Sequence, residues 1–414
     1  MSDLSSSGTP PPHPFLEKSA SDELRSQMPV VDKLAYFDHA AVAPLSAPAA
    51  DAMAEYARAA ATEGDLPWPK WALAVERLRM VAAEFLGADQ DEIALVNNTT
   101  QGIGLVAEGF PWRAGDNVVV PENEFPSNSV PWATLARRGV ELRRVPIAPS
   151  GVLELSQLAS AIDARTRIVS ISWVGFISGY RIDVGEVAEL VHSRGALFML
   201  DAIQGLGAFK IDVRDCGVDF LAADGHKWML GPEGAGLFYL RREHLELLQP
   251  LGLGWNSLAG GSFDPNSQQL KATAARYEGG STNMAGMLAF HESLNLLHQL
   301  QLGAAVDSPI SRAVLSGTEQ LAERLQQQDF RVHFPADARR RSGILGISWQ
   351  SSARNSSDVP ESVALAARKH CIAAGVVLSV RGGRLRASTH AYNNADDIER
   401  LVDALVHFRK TFSG

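Results

Sequence analysis

Lys227 lies in the stretch "AADGHKWMLGPEGAG", between a histidine and a tryptophan, in a glycine-rich loop that joins the apolar runs "VDFLAAD" and "GLFYLR". Lysine is normally a solvated surface residue, and neither run reads as surface. In a pocket poor in water the charged ammonium is disfavoured, its pKa falls, and the free amine can attack a carbonyl to form a Schiff base.

That chemistry suits pyridoxal phosphate, which needs three further groups: a carboxylate for its ring nitrogen, an anion site for its phosphate, and a flat side chain over its ring. Asp201 ends the apolar run "ALFMLDA", with Gln204 three residues on. An Asp at the C-terminal end of a strand points into the crevice where α/β sheets hold ligands, the plainer alternative being a helix cap. In "NNTTQGIG", Thr99 and Thr100 open a helix after a strand, so hydroxyls and backbone N–H groups can hold an anion there, or simply form an N-cap. Phe125 follows a strand in "PENEFPSNSVPW" and is read either as the flat group or as core.

The elements that must position these residues alternate along the chain. Strand-like runs occur at "EIALVN", "NVVVP", "ELRRVPI", "RIVSISWV", "ALFMLDA", "VDFLAAD" and "GLFYLR", mostly separated by helical stretches such as "DVGEVAELVHSRG". Strands apolar on both faces imply a mostly parallel sheet covered by helices, an α/β fold. Ser46 to Glu63 and Gly286 to Gln301 read as helices. From about residue 305 the pattern changes to helix, strand, strand, helix, strand, strand, helix, a smaller α+β domain with "GILGISWQ", "GVVLSV" and "RLRAS" as sheet. The expected division is a flexible tail over 1–28, a large domain over 29–300 and a small domain over 301–414.

Composition excludes several classes. The net charge is -9, and the 38 Lys and Arg are scattered, so no basic face offers itself to nucleic acid or to an anionic membrane. No apolar run approaches the roughly 20 residues of a membrane span, and the Ser- and Pro-rich N-terminus lacks the features of a signal peptide. The two cysteines, Cys216 and Cys371, form no Cys-x-x-Cys, which suits a reducing, cytoplasmic location, and no metal-ligand cluster is visible.

The ordered set "YFDHAAVAP", "TTQGI", "DAIQ", "DGHKWMLGPEGAG", "YEGGSTN" and "LRASTHAYNNADDIERLV" resembles the class V aminotransferases. These are fold-type I pyridoxal phosphate enzymes that include cysteine desulfurases, selenocysteine lyases, kynureninase and isopenicillin N epimerase. The resemblance implies a large domain with a mostly parallel seven-stranded sheet and a smaller C-terminal domain. It makes Lys227 the Schiff-base lysine, Asp201 the partner of the pyridinium nitrogen, and Gln204 the neighbour of the ring hydroxyl. Thr100 and His226 would bind phosphate, and Ser281 matches a threonine that reaches the phosphate of the other subunit, which implies a homodimer with a shared active site. Phe125 stands where many relatives place a stacking histidine, so a proton-shuttling role is lost there. Arg386 matches the arginine that clamps a substrate α-carboxylate, and otherwise reads as a structural ion-pair residue. Asp224 replaces a serine that usually contacts phosphate. His39, Phe176, Trp255 and Asn256 are further candidates for the substrate pocket.

Desulfurases carry a nucleophilic cysteine on a loop before the Arg segment, whereas "SVRGGRLRAS" joins strand to strand without one. The expected activity is therefore that of an aminotransferase acting on an amino acid or related amine. The alternatives are a carbon–sulfur β-lyase and an epimerase. More remote are a non-catalytic cofactor-binding module and an NAD-binding oxidoreductase, the last suggested by the G-x-G-x-x-A of Gly102 to Ala107 with Glu122 beyond it.

Overall fold

A computed structural model describes residues 19–148, 150–261, 269–301, 307–349 and 359–412. The strands, in chain order, are β1 (Ala35–Tyr36), β2 (Ile93–Val96), β3 (Asn117–Pro121), β4 (Glu141–Val145), β5 (Thr166–Ser172), β6 (Leu197–Asp201), β7 (Phe220–Asp224) and β8 (Gly236–Leu240). They continue as β9 (Arg331–His333), β10 (Ile344–Ser348), β11 (Val376–Val377), β12 (Ser379–Arg381) and β13 (Arg384–Ser388). The seven runs expected to be strands are β2 to β8, and they form one sheet in the order β2-β8-β7-β6-β5-β3-β4. All its pairings are parallel except those of β8, which runs antiparallel to both β2 and β7.

Alternation along each strand divides the side chains between two cores. Val119, Phe198, Leu200, Leu221 and Ala223 pack in one, and Val118, Val120, Met199, Phe220 and Ala222 in the other. Burial on both faces explains why these strands read as continuous apolar runs. The helix Thr99–Gly109 lies close against β7, where a Cβ on Gly102 would sit 2.7 Å from the Ala222 Cβ. This close packing gives the glycine of the G-x-G-x-x-A run a structural purpose.

A third core is built on the four-stranded antiparallel sheet β12-β13-β10-β9 and the helices Glu361–Ala373 and Ala395–Phe412. Ala35 and Phe37 pack in it, and β1 pairs in parallel with β11, so a piece of the 29–300 segment crosses into the C-terminal part. Among the described residues no helix is long and apolar enough to cross a membrane.

The expected tail is corrected at its end. Residues 1–18 lie outside the described residues, but Ala20–Ser26 is a helix capped by the Ser19 side chain. Leu24 in this helix and Met28 just past its end are buried in the core, and Arg25 reaches Asp397 at 2.7 Å. Two isolated apolar residues are a weak signal next to a Ser- and Pro-rich stretch.

Candidate active site

The strands β2, β3, β5, β6 and β7 end on the same side of the sheet, and the loops that follow them enclose a cleft of about 920 Å³. This is where open α/β sheets bind ligands. Lys227 follows β7 in a tight loop closed by Leu230 N–H to Lys227 O at 3.1 Å and Gly231 N–H to Gly225 O at 2.9 Å. Leu230 takes a left-handed φ of 56°, an uncommon conformation for a bulky residue, inside this loop. The Lys227 side chain is buried, and burial lowers its pKa from the ordinary lysine value to about 8, with Arg386 and Arg381 adding to the depression and Asp201 opposing it. Burial acts the other way on Asp201 and raises its pKa to about 6, against the bond from Ile203 N–H and the charge of Lys227.

Helix Thr99–Gly109 begins at the cleft, capped by Asn98, whose Oδ1 accepts from Gln101 N–H at 2.9 Å. Thr100 Oγ1 donates to Ser127 Oγ at 2.8 Å. Thr99 Oγ1, Asp224 Oδ1 and His226 Nδ1 are buried at the cleft wall without a hydrogen-bond partner. His226 Nδ1 is 3.0 Å from Asp224 Oδ2, within ion-pair distance but without hydrogen-bond alignment. Buried polar atoms are normally satisfied, so the Thr99 hydroxyl and the His226 ring nitrogen beside a helix N-terminus fit an anionic ligand, whereas the Asp224 oxygen, an acceptor, does not add to that fit.

Phe125 stands 5.6 Å by its ring centre from Lys227 Nζ and meets Phe176 edge-on at 5.3 Å. Gln204 donates to Ala40 O at 2.9 Å. Arg386, on β13, donates to Phe176 O at 2.9 Å and approaches Asp38 Oδ1 at 3.4 Å. Lys227, Asp201, Gln204, Thr99, Thr100, Phe125, Phe176, Asp224, His226 and Arg386 thus share one cleft.

Four expected site residues lie elsewhere. His39 is fully buried, its Nδ1 at 2.8 Å from Ser388 O and its Nε2 at 2.6 Å from the Tyr392 hydroxyl, so neither ring nitrogen is available to a substrate. It packs among Tyr36, Trp228, His390 and Tyr392 behind the cleft. Trp255, Asn256 and Ser281 line a second cleft of about 1280 Å³ with Tyr56, Trp68 and Lys271. Sequence reasoning missed Arg381, Ser127 and Asn98, which also line the Lys227 cleft. The two glycines after Arg381 are a hairpin signal that places its side chain on the same strand pair as Arg386.

The family model "Aminotransferase class-V" matches residues 35–401. A probable cysteine desulfurase of Methanothermobacter thermautotrophicus is 30% identical over 396 residues, covering 93% of this chain and 97% of that protein. A cysteine desulfurase of an Enterobacter species is 30% identical over 404 residues, covering 93% and 97%. Among solved structures, a cysteine desulfurase from Thermococcus onnurineus superposes with a TM-score of 0.81 at 23% identity, covering 94% of this chain and 98% of that one. The cystine C–S lyase C-DES, in complex with its product cysteine persulfide, superposes with a TM-score of 0.82 at 22% identity, covering 92% and 99%. The buried amine, the carboxylate at a strand end and the unpaired polar atoms at a helix N-terminus agree with the cofactor of that family. This chain is a pyridoxal phosphate-dependent member of the class V aminotransferase family.

Proposed function

We propose that the protein is a carbon–sulfur β-lyase that acts on a cysteine-type amino acid. The cysteine desulfurase relatives at 30% identity support carbon–sulfur cleavage over the amino transfer expected from the sequence. The observation that carries the reading is the union of Lys227, Asp201 and Arg386 in a cleft that contains no cysteine.

Bound there, pyridoxal phosphate would supply an electron sink for the pair left at the substrate's Cα when its proton is removed. Arg386 binds the α-carboxylate through its guanidinium fork. Asp201 would partner the ring nitrogen, while Thr99, Thr100 and His226 would hold the phosphate with the N–H groups of the helix start. The Lys227 amine, with its pKa drawn down towards neutrality by burial, is suited to take the Cα proton as general base. The Cβ–S bond then breaks, the sulfur leaves with the electron pair and takes a proton, and water completes release of pyruvate and ammonia. Phe125, in the same cleft, cannot deliver a proton, which argues against inversion at Cα.

Cys371 does not replace the missing nucleophile. It is fully buried in the C-terminal core, and burial pushes its thiol up to about 12. Cys216 is half-buried and burial raises its pKa, and neither residue lines the cleft. Sulfur therefore leaves without passing to a protein thiol. Trp255, Asn256 and Ser281 are absent from the Lys227 cleft of their own chain, so a role for them at an active site would require a second copy.

The test is incubation of the reconstituted protein with S-substituted cysteines, with and without 2-oxo acids. Pyruvate, ammonia and thiol formed without an acceptor support the lyase. Amino transfer that depends on the acceptor would replace it with transamination.

A further inference from the structure

Arg381 and Arg386 reach the Lys227 cleft from the two strands of one hairpin. Ser379 pairs with Arg386 and Arg381 with Arg384. Side chains two apart on a strand, or directly opposite across a pair, share a face, so all four project to one side. The contact of Arg386 Nε with Ser379 Oγ at 3.2 Å follows from this register. Gly382 and Gly383, with φ of 57° and 76°, close the hairpin in two residues. A Cβ on Gly382 would sit 3.1 Å from the Ile177 side chain, so the turn rests against the segment that carries Phe176. The position of Arg381 is thus set by paired strands, a tight turn and a packing contact.

The two guanidinium groups have unlike surroundings. Arg386 is buried and shares Asp38 and Phe176 O. Arg381 is exposed at the mouth, donates to Val380 O at 2.9 Å, and has no carboxylate within ion-pair distance among the described residues. An α-carboxylate occupies one guanidinium. A second one in the same cleft, not neutralised by the protein, is matched by a second anion.

We propose that Arg381 receives an acidic group at the end of the substrate's side chain. The substrate is then a cysteine thioether or disulfide with a distal carboxylate rather than free cysteine. This rests on the proposed lyase activity for the sulfur, but the second anion is argued from the two arginines alone. Cα atoms at diagonal positions of a strand pair lie about 7–8 Å apart, a spacing that long side chains adapt to the two ends of one small dicarboxylate.

Ligands without a leaving group separate the two readings. L-2-Aminoadipate and L-norleucine differ in the distal carboxylate, and their binding to the holoenzyme is read from the cofactor's absorbance. The acid is expected to bind at least about tenfold more tightly, as for one charge-assisted contact. Arg381→Ala should reduce that preference to within about threefold while leaving norleucine unchanged, and Arg381→Lys should restore part of it. Equal binding of the two ligands by the unaltered protein, or a preference that survives in Arg381→Ala, would overturn the proposal. Turnover of S-carboxymethyl-L-cysteine and S-ethyl-L-cysteine is measured alongside. A binding preference without elimination supports the role of Arg381 and refutes only the lyase.

Discussion

The indole N–H of Trp228 donates to Gln204 Oε1 at 2.9 Å, while Gln204 Nε2 donates to Ala40 O, also at 2.9 Å. An indole N–H can only donate and a carbonyl can only accept, so the two contacts fix which way the amide points. Gln204, at the cleft wall, therefore has its amino end committed to the Ala40 side, with one N–H left to donate. The residue that follows Lys227 in the chain sets the polarity of a group in the Lys227 cleft.

Trp228→Phe keeps an aromatic ring among His39, His390 and Tyr392 but leaves Gln204 Oε1 buried without a donor. We expect a loss of about 1–3 kcal/mol, seen as a lower melting temperature, because an orphaned buried acceptor costs its desolvation. We also expect a shift in the holoenzyme's absorbance maximum as the amide loses its fixed orientation. An unchanged melting temperature and spectrum would show that the contact is incidental.

Burial draws the pKa of Lys227 down to about 8, with the Asp201 carboxylate opposing the shift. The amine is a nucleophile only when neutral, so it gains reactivity as pH rises through the lowered pKa, well below the range of an exposed lysine. Reconstitution of cofactor-free protein with pyridoxal phosphate, trapped by borohydride and located by peptide mass, should accelerate up to about pH 8 and then level off. Asp201→Asn removes the opposing charge and should move this inflection to lower pH. Lys227→Ala should lose the labelled peptide and at least about a hundredfold in activity. A label that persisted on another lysine would refute the assignment.

Much of this arrangement was legible in residue types and order, because strands buried on both faces leave long apolar runs and end in polar residues at the site. Asp201, Asp224 and the Asn98–Thr100 turn all lie just where an apolar run stops. What was not legible depends on the third dimension. His39 belongs to a segment near the cleft, yet its ring turns into the cluster around Tyr392, 353 residues away in the chain. The helix Trp68–Leu86 was passed over despite Trp71, Val75, Leu78, Ala82 and Phe85 at helical spacing. Trp255 and Ser281 follow the family order but line another cleft, since order along the chain does not fix which cavity a side chain reaches in space.

Thr99 tests the anion site without disturbing the fold. Its hydroxyl is buried and has no partner in the protein, whereas Thr100 is bonded to Ser127. Thr99→Val is nearly isosteric, so the cofactor-free protein should be as stable as before or slightly more so. If the hydroxyl holds phosphate, the variant should bind pyridoxal phosphate about tenfold more weakly. Equilibrium dialysis at fixed pH measures this. Unchanged affinity would remove Thr99 from the site and leave the helix N-terminus and His226 to account for it.

The absence of a cysteine from the cleft yields the prediction that separates this chain most sharply from desulfurases that pass sulfur to their own thiol. Cys216 is half-buried away from the site, and Cys371 is fully buried, so neither can reach a sulfur released beside Lys227 without unfolding its surroundings. Cys216→Ser combined with Cys371→Ala should therefore form pyruvate and thiol within about twofold of the unaltered rate. The Cys371 change would at the same time cost roughly 1 kcal/mol of stability, for the small core cavity it leaves. Alkylation of the half-buried Cys216 thiol should be equally without effect, and mass spectrometry after turnover should find no added sulfur on either cysteine. Persulfide on Cys216 or Cys371, together with loss of activity in the double variant, would overturn elimination without a protein thiol and require a rearrangement that brings one of them to the cleft.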